Sequence, residues 1–422
     1  MPLKPAQLYL LFFSLYWAQG LPVGFMTQAL PVILRMQGVS LAHIGGFGLL
    51  MAPWALKALW APWVDRVGIP ALGHYRAWIL ITQLSSIVIL IVLSYLPIES
   101  LNHPTYLLLF FIALLSMNCM GATQDIATDA LAVRSLKAAQ QHWGNMFQVI
   151  GSRLGFIVGG GAILWALDFL SWQYTFMLLA GLVALNTIPI LYFNEGDSAR
   201  SSVINAQPVL AKQTLRGYLH SYVRYFSQTK VMFLWLLVLL SVKVTDGLSG
   251  PISKPLLVDL GLSLSQIGIY ITMLGAAAAL LGAFLASLCL QRLARQHAFV
   301  LFSILKLSTV FGFAGLAQQY EQGQHVAHWL IYVINALEDL FSAMLLVVIL
   351  TLVMQYSRHS HAGTDFTLQV SIMALVSGVF YTLSGILGDY LGYKTYLMLI
   401  GIVGIFMLLP AYLWQRCYNT EK

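Results

Sequence analysis

Charged residues are scarce in this 422-residue chain: aspartate, glutamate, lysine and arginine make up 9% of it, and hydrophobic residues make up 59%. A water-soluble domain carries about 25% charged residues, so this composition excludes a single soluble globular domain. The mean hydropathy of +0.79 indicates a polytopic membrane protein. The net charge of +7 comes from basic residues scattered over short segments. The chain has no basic run that would favour nucleic-acid binding, so we expect no nucleic-acid partner.

The sequence also lacks the motifs of an enzyme. Its three cysteines (Cys119, Cys289 and Cys417) share no metal or redox spacing. Its ten histidines fall mostly in connecting segments without the spacing of metal ligands. We therefore expect no metal, no cofactor and no catalytic activity. The first apolar stretch is too long for a cleavable signal peptide and lacks a small-residue cleavage pattern, so we expect it to remain as a membrane span.

Long apolar runs predict twelve membrane-spanning helices, because each run reaches the ~20 residues that a bilayer requires. They cover residues 8–34, 44–64, 77–97, 104–131, 144–168, 172–193, 231–252, 264–290, 298–318, 328–356, 366–388 and 394–414. The longest connection divides the chain into a six-helix half (residues 1–193), a linker (residues 194–230) and a second six-helix half (residues 231–422).

The linker repeats apolar residues at helical spacing, with basic residues among them. The apolar set is Leu215, Tyr218, Leu219, Tyr222, Val223 and Phe226, and the basic set is Lys212, Arg216 and Arg224. This pattern predicts an amphipathic helix on the membrane surface, and a disordered linker is the alternative.

Lysine and arginine are distributed unevenly over the connections. With the N-terminus inside, 15 of the 22 fall in connections that face the cytoplasm, three fall outside, and the other four lie within spans. Basic residues favour the cytoplasmic side, so we predict that both termini are cytoplasmic.

The two halves also repeat a short motif. GVSLAHIG at residues 38–45 opens the second span, and GLSLSQIG at residues 261–268 opens the eighth. A match at corresponding places of two six-helix halves indicates a duplicated unit. This all-α arrangement resembles the major facilitator transporters, in which spans 1, 4, 7 and 10 line a central cavity and spans 2, 5, 8 and 11 flank it.

Eight charged residues lie inside the apolar runs, where each costs roughly 2.5–3.5 kcal/mol or more at mid-bilayer. They are Lys57, Asp125, Asp129, Arg153, Lys243, Asp246, Glu338 and Asp339. All fall on spans that resemble cavity helices, which favours a carrier over a structural or signalling membrane protein. Lys306, near one end of its span, is long enough to reach the membrane surface, so we expect no role for it.

Counting residues from the cytoplasmic ends places Lys57, Asp125 and Arg153 at a similar depth, and puts Asp125 and Asp129 on one helix face. One interpretation is a buried ion-pair network that only fixes helix packing. The other is a proton-coupling site, in which Lys57 and Arg153 hold an anionic part of the cargo.

The second group of charges lies nearer mid-membrane. Glu338 and Asp339 are further candidates for proton coupling, and only one of these adjacent residues is expected to face the cavity. Lys243 and Asp246, three residues apart, are candidates for cargo binding and can pair with each other.

Polar residues in spans 1 and 4 complete the set of candidate cargo contacts: Tyr16, Gln19, Gln28, Asn118 and Gln124. The QGLP sequence at residues 19–22 predicts a break in span 1 that frees backbone groups, and ordinary glycine packing between helices is the alternative. The GxxxG pattern at residues 155–159 predicts close helix contact. The resemblance to the major facilitators, which use an acidic–basic loop here as a latch, implies a gating role for residues at the cytoplasmic ends of spans: Asp65, Arg66, Arg76 and Asp365.

Three motifs resemble the AmpG-type permeases of the peptide–acetyl-CoA–drug branch: LKALWAPWVDR at residues 56–66, TQDIATDA at residues 123–130, and GSRLG at residues 151–155 with Trp172-Gln173. The resemblance covers spans 1–6 and implies uptake of anhydromuropeptides on the proton gradient. AmpG-type permeases usually have additional apolar segments that this chain lacks.

AGTDFTLQ at residues 362–369, with QGLP at residues 19–22 and Leu30-Pro31, is more similar to the compact RhtX/FptX siderophore permeases. This resemblance favours proton-coupled uptake of a ferri-siderophore by alternating access, by a monomer in the bacterial inner membrane. Muropeptide uptake and export of a drug or other small molecule are the alternatives.

Overall fold

The computed structural model describes residues 5–37, 47–69, 71–96, 103–167, 169–195, 222–263 and 266–420. Within these ranges the chain forms helices joined by short turns, with no β-strand. In this described part of the chain, eleven helices are long and apolar enough to cross a membrane. They coincide with eleven of the predicted spans, so the prediction of an all-α membrane protein is confirmed.

Five of the first six predicted spans correspond to long helical segments. Span 1 is α1 (Pro5–Gly24), a π-helical turn (Phe25–Ala29) and α2 (Leu30–Met36). Spans 3 to 6 are α5 (His74–Ser94), α6 (Pro104–Ser135), α7 (Gln141–Ile157) with α8 (Ile163–Leu167), and α9 (Trp172–Tyr192).

The segment predicted as span 2 is not one long helix. It consists of a 3₁₀ turn (Phe47–Met51), α3 (Ala52–Leu56), a second 3₁₀ turn (Lys57–Leu59) and α4 (Ala61–Arg66). Prolines stand in the first turn of both α3 and α4. Because proline fits the first turn of a helix and breaks its interior, each one begins a new helix. Lys57 therefore lies at a discontinuity of the backbone.

The second half of the chain supplies the remaining helices. They are α10 (Lys230–Ser241), α11 (Val244–Asp259), α12 (Leu274–Cys289), α13 (Arg295–Glu321), α14 (His328–Tyr356), α15 (Ala362–Leu391) and α16 (Tyr393–Thr420). A π-helical segment (Ile267–Met273) precedes α12, and a 3₁₀ turn (His359–His361) precedes α15.

The chain forms two compact units. The first contains residues 1–212 and 354–368, and the second contains residues 213–353 and 369–422. The connection between α14 and α15 therefore packs with the N-terminal helices, although it lies within the predicted C-terminal half. The predicted boundaries at residues 194 and 230 remain a prediction.

Each unit has its own apolar core. In the first unit Phe25, Phe110 and Phe176 are fully buried and pack with the N-terminal end of α9. In the second unit Leu256, Ile331 and Ile400 are fully buried. The outward faces are apolar as well: Leu84, Val88 and Val92 of α5 are each more than half exposed. Exposed apolar stripes of this kind suit a lipid environment.

Two predictions fall on residues that the structure does not describe. The first copy of the internal repeat, residues 38–45, lies outside the described ranges, as do linker residues 196–221. Of the predicted amphipathic helix, only its end is described, as a helical turn at residues 222–227. There Tyr222 and Phe226 are buried and Val223 is exposed.

Candidate functional site

The first unit contains a buried ion pair between the broken segment of span 2 and the middle of α6. The Lys57 ammonium is in direct contact with Asp125 Oδ2, and the side chains are only 6% and 11% exposed. A lysine and a carboxylate are almost never buried this far unless they are paired. The sequence predicted that these two residues lie at one depth, and the structure brings them together.

Two tryptophans fix the turn that carries Lys57. Trp54 Nε1 donates to Asn118 Oδ1 (2.9 Å), and Trp60 Nε1 donates to Thr123 Oγ1 (3.1 Å). The Lys57 ammonium also lies 5.6 Å from the centre of the Trp54 ring, close enough for a cation–π attraction. Hydrogen bonds to α6 on both sides of Lys57 therefore hold its 3₁₀ turn in place. Neither tryptophan was a candidate from the sequence.

A second carboxylate, Asp129, lies one helical turn beyond Asp125 on α6. It accepts a hydrogen bond from Tyr16 Oη of α1 (2.5 Å) and a longer one from Gln148 Nε2 of α7 (3.4 Å). In one orientation of its side-chain amide Gln19 donates to Asp125 Oδ1 (3.1 Å), and in the other it donates to Thr128 Oγ1 (3.4 Å). The cluster defined by Lys57, Asp125 and Asp129 thus holds one more carboxylate than it holds lysines.

Arg153 does not join this cluster. The sequence placed it at the depth of Lys57 and Asp125, but its side chain is exposed and forms no ion pair with a described residue. The reason is its position on α7. A Cβ at Gly151 would lie 2.7 Å from the Phe13 carbonyl oxygen, and one at Gly155 would lie 2.6 Å from the Gly20 Cα. Arg153 lies about 200° around the helix from both glycines, so it points away from α1.

The predicted break at QGLP is absent. α1 continues through Pro22, and the irregularity follows it as the π-helical turn at Phe25–Ala29. Gly20 and Gly24 instead lie against the backbone of α7, where a Cβ would approach Ser152 O and Phe156 Cα to 2.6 Å. The alternative interpretation, glycine packing between helices, therefore describes this motif.

Most of the other predicted cargo contacts are engaged inside the first unit. Asn118 is buried and accepts from Trp54, and Gln124 Nε2 donates weakly to the Leu15 carbonyl (3.4 Å). Together with Gln19 they line a cleft whose free space holds at most about one water molecule. Gln28 is exposed and lies over Gly160. Of the predicted cargo-binding residues in the first unit, Gln28 and Arg153 are the exposed ones in this conformation.

The second unit contains a different, part-buried cluster, formed by Lys243, Asp246 and Lys306. Lys243 Nζ lies 2.6 Å from Asp246 Oδ2, as its spacing allowed, and Lys306 Nζ contacts Asp246 Oδ1. The Lys306 side chain is 12% exposed, so the expectation that it extends to the membrane surface is wrong. The sequence contained the same indication for Lys306 as for Lys57, because each is a lysine within an apolar run.

Glu338 and Asp339 face different directions from α14, as their adjacency predicted. Glu338 accepts from Ser342 Oγ (2.8 Å), whereas Asp339 accepts from Asn335 Nδ2 (3.1 Å) and lies against Gly275 at the start of α12. Both carboxylates also interact electrostatically with Lys306. They are part-exposed and belong to the same unit as Asp246.

Asp65, at the end of α4, accepts hydrogen bonds from the first turn of α15. Its Oδ1 accepts from the Gly363 backbone N–H (3.1 Å), and its Oδ2 accepts from the Thr364 backbone N–H (2.8 Å) and hydroxyl (2.5 Å). Carboxylates are stabilised there by the free N–H groups and the helix dipole. Burial raises the pKa of Asp65, and these hydrogen bonds with the one from Tyr75 oppose that rise.

Asp365 holds the loop before α15. Its carboxylate accepts from Arg358 Nε (2.8 Å), Arg358 Nη2 (2.9 Å) and the Arg358 backbone N–H (2.9 Å). This bidentate geometry is the strong form of an arginine–carboxylate pair. Arg66 is half-buried beside Asp65. The structure therefore brings three of the four predicted gating residues to one end of the first unit.

Arg76, the fourth, has a different position. Its guanidinium donates to the Ile190 carbonyl (3.1 Å) and the Leu191 carbonyl (2.7 Å) at the end of α9. Glu195, just beyond α9, accepts from the Tyr75 backbone N–H (3.2 Å) at the start of α5. Burial raises the pKa of Glu195. The two residues thus cap each other's helices, so the contacts of Arg76 join α5 to α9 and do not reach the α15 loop.

Comparison with known sequences gives matches in both halves. The family profile described as "Acetyl-coenzyme A transporter 1" matches residues 7–168, and the one described as "Major Facilitator Superfamily" matches residues 234–421. The Rickettsia felis protein AmpG 4, a transporter by its description, is 23% identical over 415 residues, covering 97% of this chain and 96% of that protein. The anhydromuropeptide permease of Escherichia coli K12 is 28% identical over 299 residues, covering 70% of this chain and 58% of the permease.

Solved structures match over nearly the whole chain. The human organic anion transporter MFSD10 aligns with a TM-score of 0.70 at 14% identity, covering 98% of this chain and 100% of that one. The transporter FucP in its outward conformation aligns with a TM-score of 0.65 at 13% identity, covering 96% and 98%. At these identities the likeness shows the fold alone, and that fold is the one predicted from two six-helix halves.

Proposed function

Because the chain has the major facilitator fold and AmpG-like relatives, we propose that it imports anhydromuropeptides, or sugar–peptides of the same kind, across the bacterial inner membrane by proton symport. The observation that carries this proposal is the buried cluster of Lys57, Asp125 and Asp129, within motifs that resemble AmpG-type permeases. Charges buried in a membrane domain mark proton relays and substrate pathways.

Charge balance supports a proton site in this cluster. One lysine faces two carboxylates, so a single added proton makes the group neutral. Burying an uncompensated charge is costly, which favours proton uptake where the group is shielded from water. We propose that Asp125 takes this proton. Its neutralisation releases Lys57 from the ion pair while Asp129, on the same helix face, remains as a partner.

The siderophore hypothesis finds less support. It rested mainly on residues 362–369, and in the structure these residues have structural contacts. Gly363 and Thr364 bind Asp65, Asp365 holds Arg358, and Gln369 Oε1 accepts from Trp235 Nε1 (2.7 Å). The relatives described above include a muropeptide permease and none named for siderophores. The AmpG-type alternative therefore becomes the proposal.

We further propose that the hydrogen bonds of Asp65 to α15 act as a latch of the transport cycle. Three donors from the first turn of α15 converge on one carboxylate, and Asp365 fixes the preceding loop. The latch opens when α15 moves away from α4, which requires Asp65 to exchange these donors for water. The contacts of Arg76 give it no part in this exchange.

The test is uptake by right-side-out membrane vesicles from cells without their own muropeptide permease. Vesicles containing the protein should concentrate a labelled anhydromuropeptide when a proton gradient is imposed and lose it when the gradient is collapsed. Asp125→Asn should abolish accumulation, whereas Asp259→Asn, which alters an exposed carboxylate in the second unit, should not.

A labelled ferri-siderophore serves as the comparison cargo. Accumulation of the ferri-siderophore without the muropeptide would overturn the proposed cargo and restore the siderophore hypothesis. Muropeptide accumulation that is indifferent to the gradient would overturn the proton coupling.

A further inference from the structure

The cluster of Lys243, Asp246 and Lys306 has more cationic partners than its carboxylate needs. Asp246 uses one oxygen for each lysine: Oδ2 for Lys243 and Oδ1 for Lys306. If either lysine leaves, the carboxylate keeps an ion pair. This redundancy is absent at Asp125, where loss of Lys57 leaves the buried carboxylate without a lysine partner.

The two lysines are not equivalent. The Lys306 side chain is 12% exposed and lies within electrostatic reach of Glu338 and Asp339 as well as Asp246. The Lys243 side chain is 28% exposed, and Asp246 is the carboxylate it pairs with among the described residues. Lys306 therefore interacts with three carboxylates, whereas Lys243 is the more exposed of the two lysines.

The backbone favours an anion beside Lys243. Lys243 stands at the discontinuity between α10 and α11 and is the residue that precedes the first turn of α11, a helix of 16 residues. The N-terminal end of a helix carries a partial positive charge and unpaired N–H groups. A lysine with a replaceable partner, next to such a helix end, is suited to a carboxylate.

We infer that Lys243 is a cargo-binding residue for carboxylate-bearing solutes and that Lys306 makes this possible by holding Asp246. When a cargo carboxylate arrives, Lys243 exchanges Asp246 for it, and Lys306 keeps Asp246 paired. Lys306 is then a positioning residue that acts through Asp246. The inference rests on the proposed function, because a muropeptide carries peptide carboxylates that such a site would recognise.

The test is lysine labelling of the full-length protein in lipid nanodiscs, using an amine-reactive ester and mass spectrometry. Lys230, exposed at the start of α10, is the internal reference. We expect Lys243 to react faster than Lys306. N-acetylalanine, a simple carboxylate, should slow the labelling of Lys243 by about tenfold at saturation, and N-acetylalanine amide should not. Labelling of Lys230 should be unchanged by both.

Variants separate this role from a merely structural one. In Lys306→Met, Asp246 has Lys243 as its remaining lysine, so labelling of Lys243 should fall and protection by N-acetylalanine should disappear, while Lys306→Arg should restore both. In Asp246→Asn, labelling of Lys243 should rise and protection should persist. A structural ion-pair network predicts instead that Lys306→Met and Asp246→Asn each loosen the unit and increase labelling of every cluster lysine that the variant retains.

The remaining outcomes are distinguishable. Equal protection by the acid and the amide, or no protection by either, would overturn the carboxylate site. Protection by N-acetylalanine without protection by an anhydromuropeptide would leave the carboxylate site standing and overturn the proposed cargo.

Discussion

In the first unit one lysine, Lys57, faces two carboxylates, whereas in the second unit Lys243 and Lys306 share the carboxylate of Asp246. We propose that the first cluster binds a proton and the second a carboxylate. Lysines and aspartates within apolar helices are common to both clusters, and the proposed ligands differ because the proportions of the two residue types differ. The two proposed roles can be tested by substitutions that remove one lysine or one carboxylate from a cluster at a time.

The largest expected effect is on proton coupling. Asp125→Asn should abolish gradient-driven accumulation of the anhydromuropeptide, because the first cluster then lacks the carboxylate proposed to take the proton. Asp246→Asn should leave accumulation measurable. The measurement is uptake in the vesicle assay, with protein content checked by immunoblot. Accumulation by the Asp125→Asn variant against the gradient would remove Asp125 from the coupling mechanism.

Because Asp125→Asn removes the carboxylate that Lys57 contacts directly, a loss of uptake has to be separated from a loss of folding. The double variant Lys57→Met with Asp125→Asn removes both charges. It should recover thermal stability in detergent and remain unable to accumulate cargo.

The second prediction compares the stability of the two clusters. Lys57→Met should lower the free energy of unfolding by about 3–5 kcal/mol, since it leaves Asp125 buried and unpaired. Lys243→Met should cost about 1 kcal/mol or less, because Lys306 still pairs with Asp246. Thermal unfolding of both variants in one detergent is the check. Equal costs would show that the second cluster has no redundancy.

The third prediction concerns the loop of residues 357–361, which packs with the first unit. Asp65→Ala removes an acceptor for three donors of α15 and should cost about 2 kcal/mol locally. Limited trypsin digestion should then cleave after Arg358 sooner than in the unaltered protein, and Asp365→Ala should do the same. Asp259→Asn provides the control. Unchanged cleavage in Asp65→Ala would mean that the latch contributes nothing to holding this loop.

The smallest effect comes from carboxylates that cap a neighbouring helix. Glu195 accepts from the start of α5 in the first unit, and Glu321 accepts from the Lys394 backbone N–H (2.9 Å) at the start of α16 in the second. Glu195 is half-buried and Glu321 is exposed. Glu195→Gln should therefore cost about 1 kcal/mol and Glu321→Gln a few tenths. A larger cost at Glu321 in thermal unfolding would contradict this ranking by burial.

The lengths of the apolar runs predicted most of the fold, and the charged residues within them predicted the ion pair of the first unit. Eleven spans follow from apolar runs that a bilayer requires, and Lys57 with Asp125 follows from depth counting on two of them. Depth alone could not place Arg153, since helix rotation decides which side a residue faces. That rotation was readable from Gly151 and Gly155, which must face α1, but only once their packing partner was known.

Other features depend on side-chain reach, which sequence spacing does not report. Lys306 had two available directions, toward the membrane surface or toward Asp246, sixty residues earlier in the chain. The same holds for Glu195, whose carboxylate acts at a helix end 120 residues away. The broken span 2 was indicated locally by Pro53 and Pro62, which can begin helices but cannot continue them.

The glycines that pack against α1, Gly155 in α7 and Gly159 just after it, limit how this sequence can change over evolutionary time. At Gly155 and Gly159 even a methyl group would meet the backbone of α1, at 2.6 Å and 1.9 Å. A charge in the clusters can be exchanged together with its partner, but no partner substitution makes room inside a backbone. Among descendants of this chain, substitutions should therefore accumulate more slowly along these uncharged positions than at many of the charged ones.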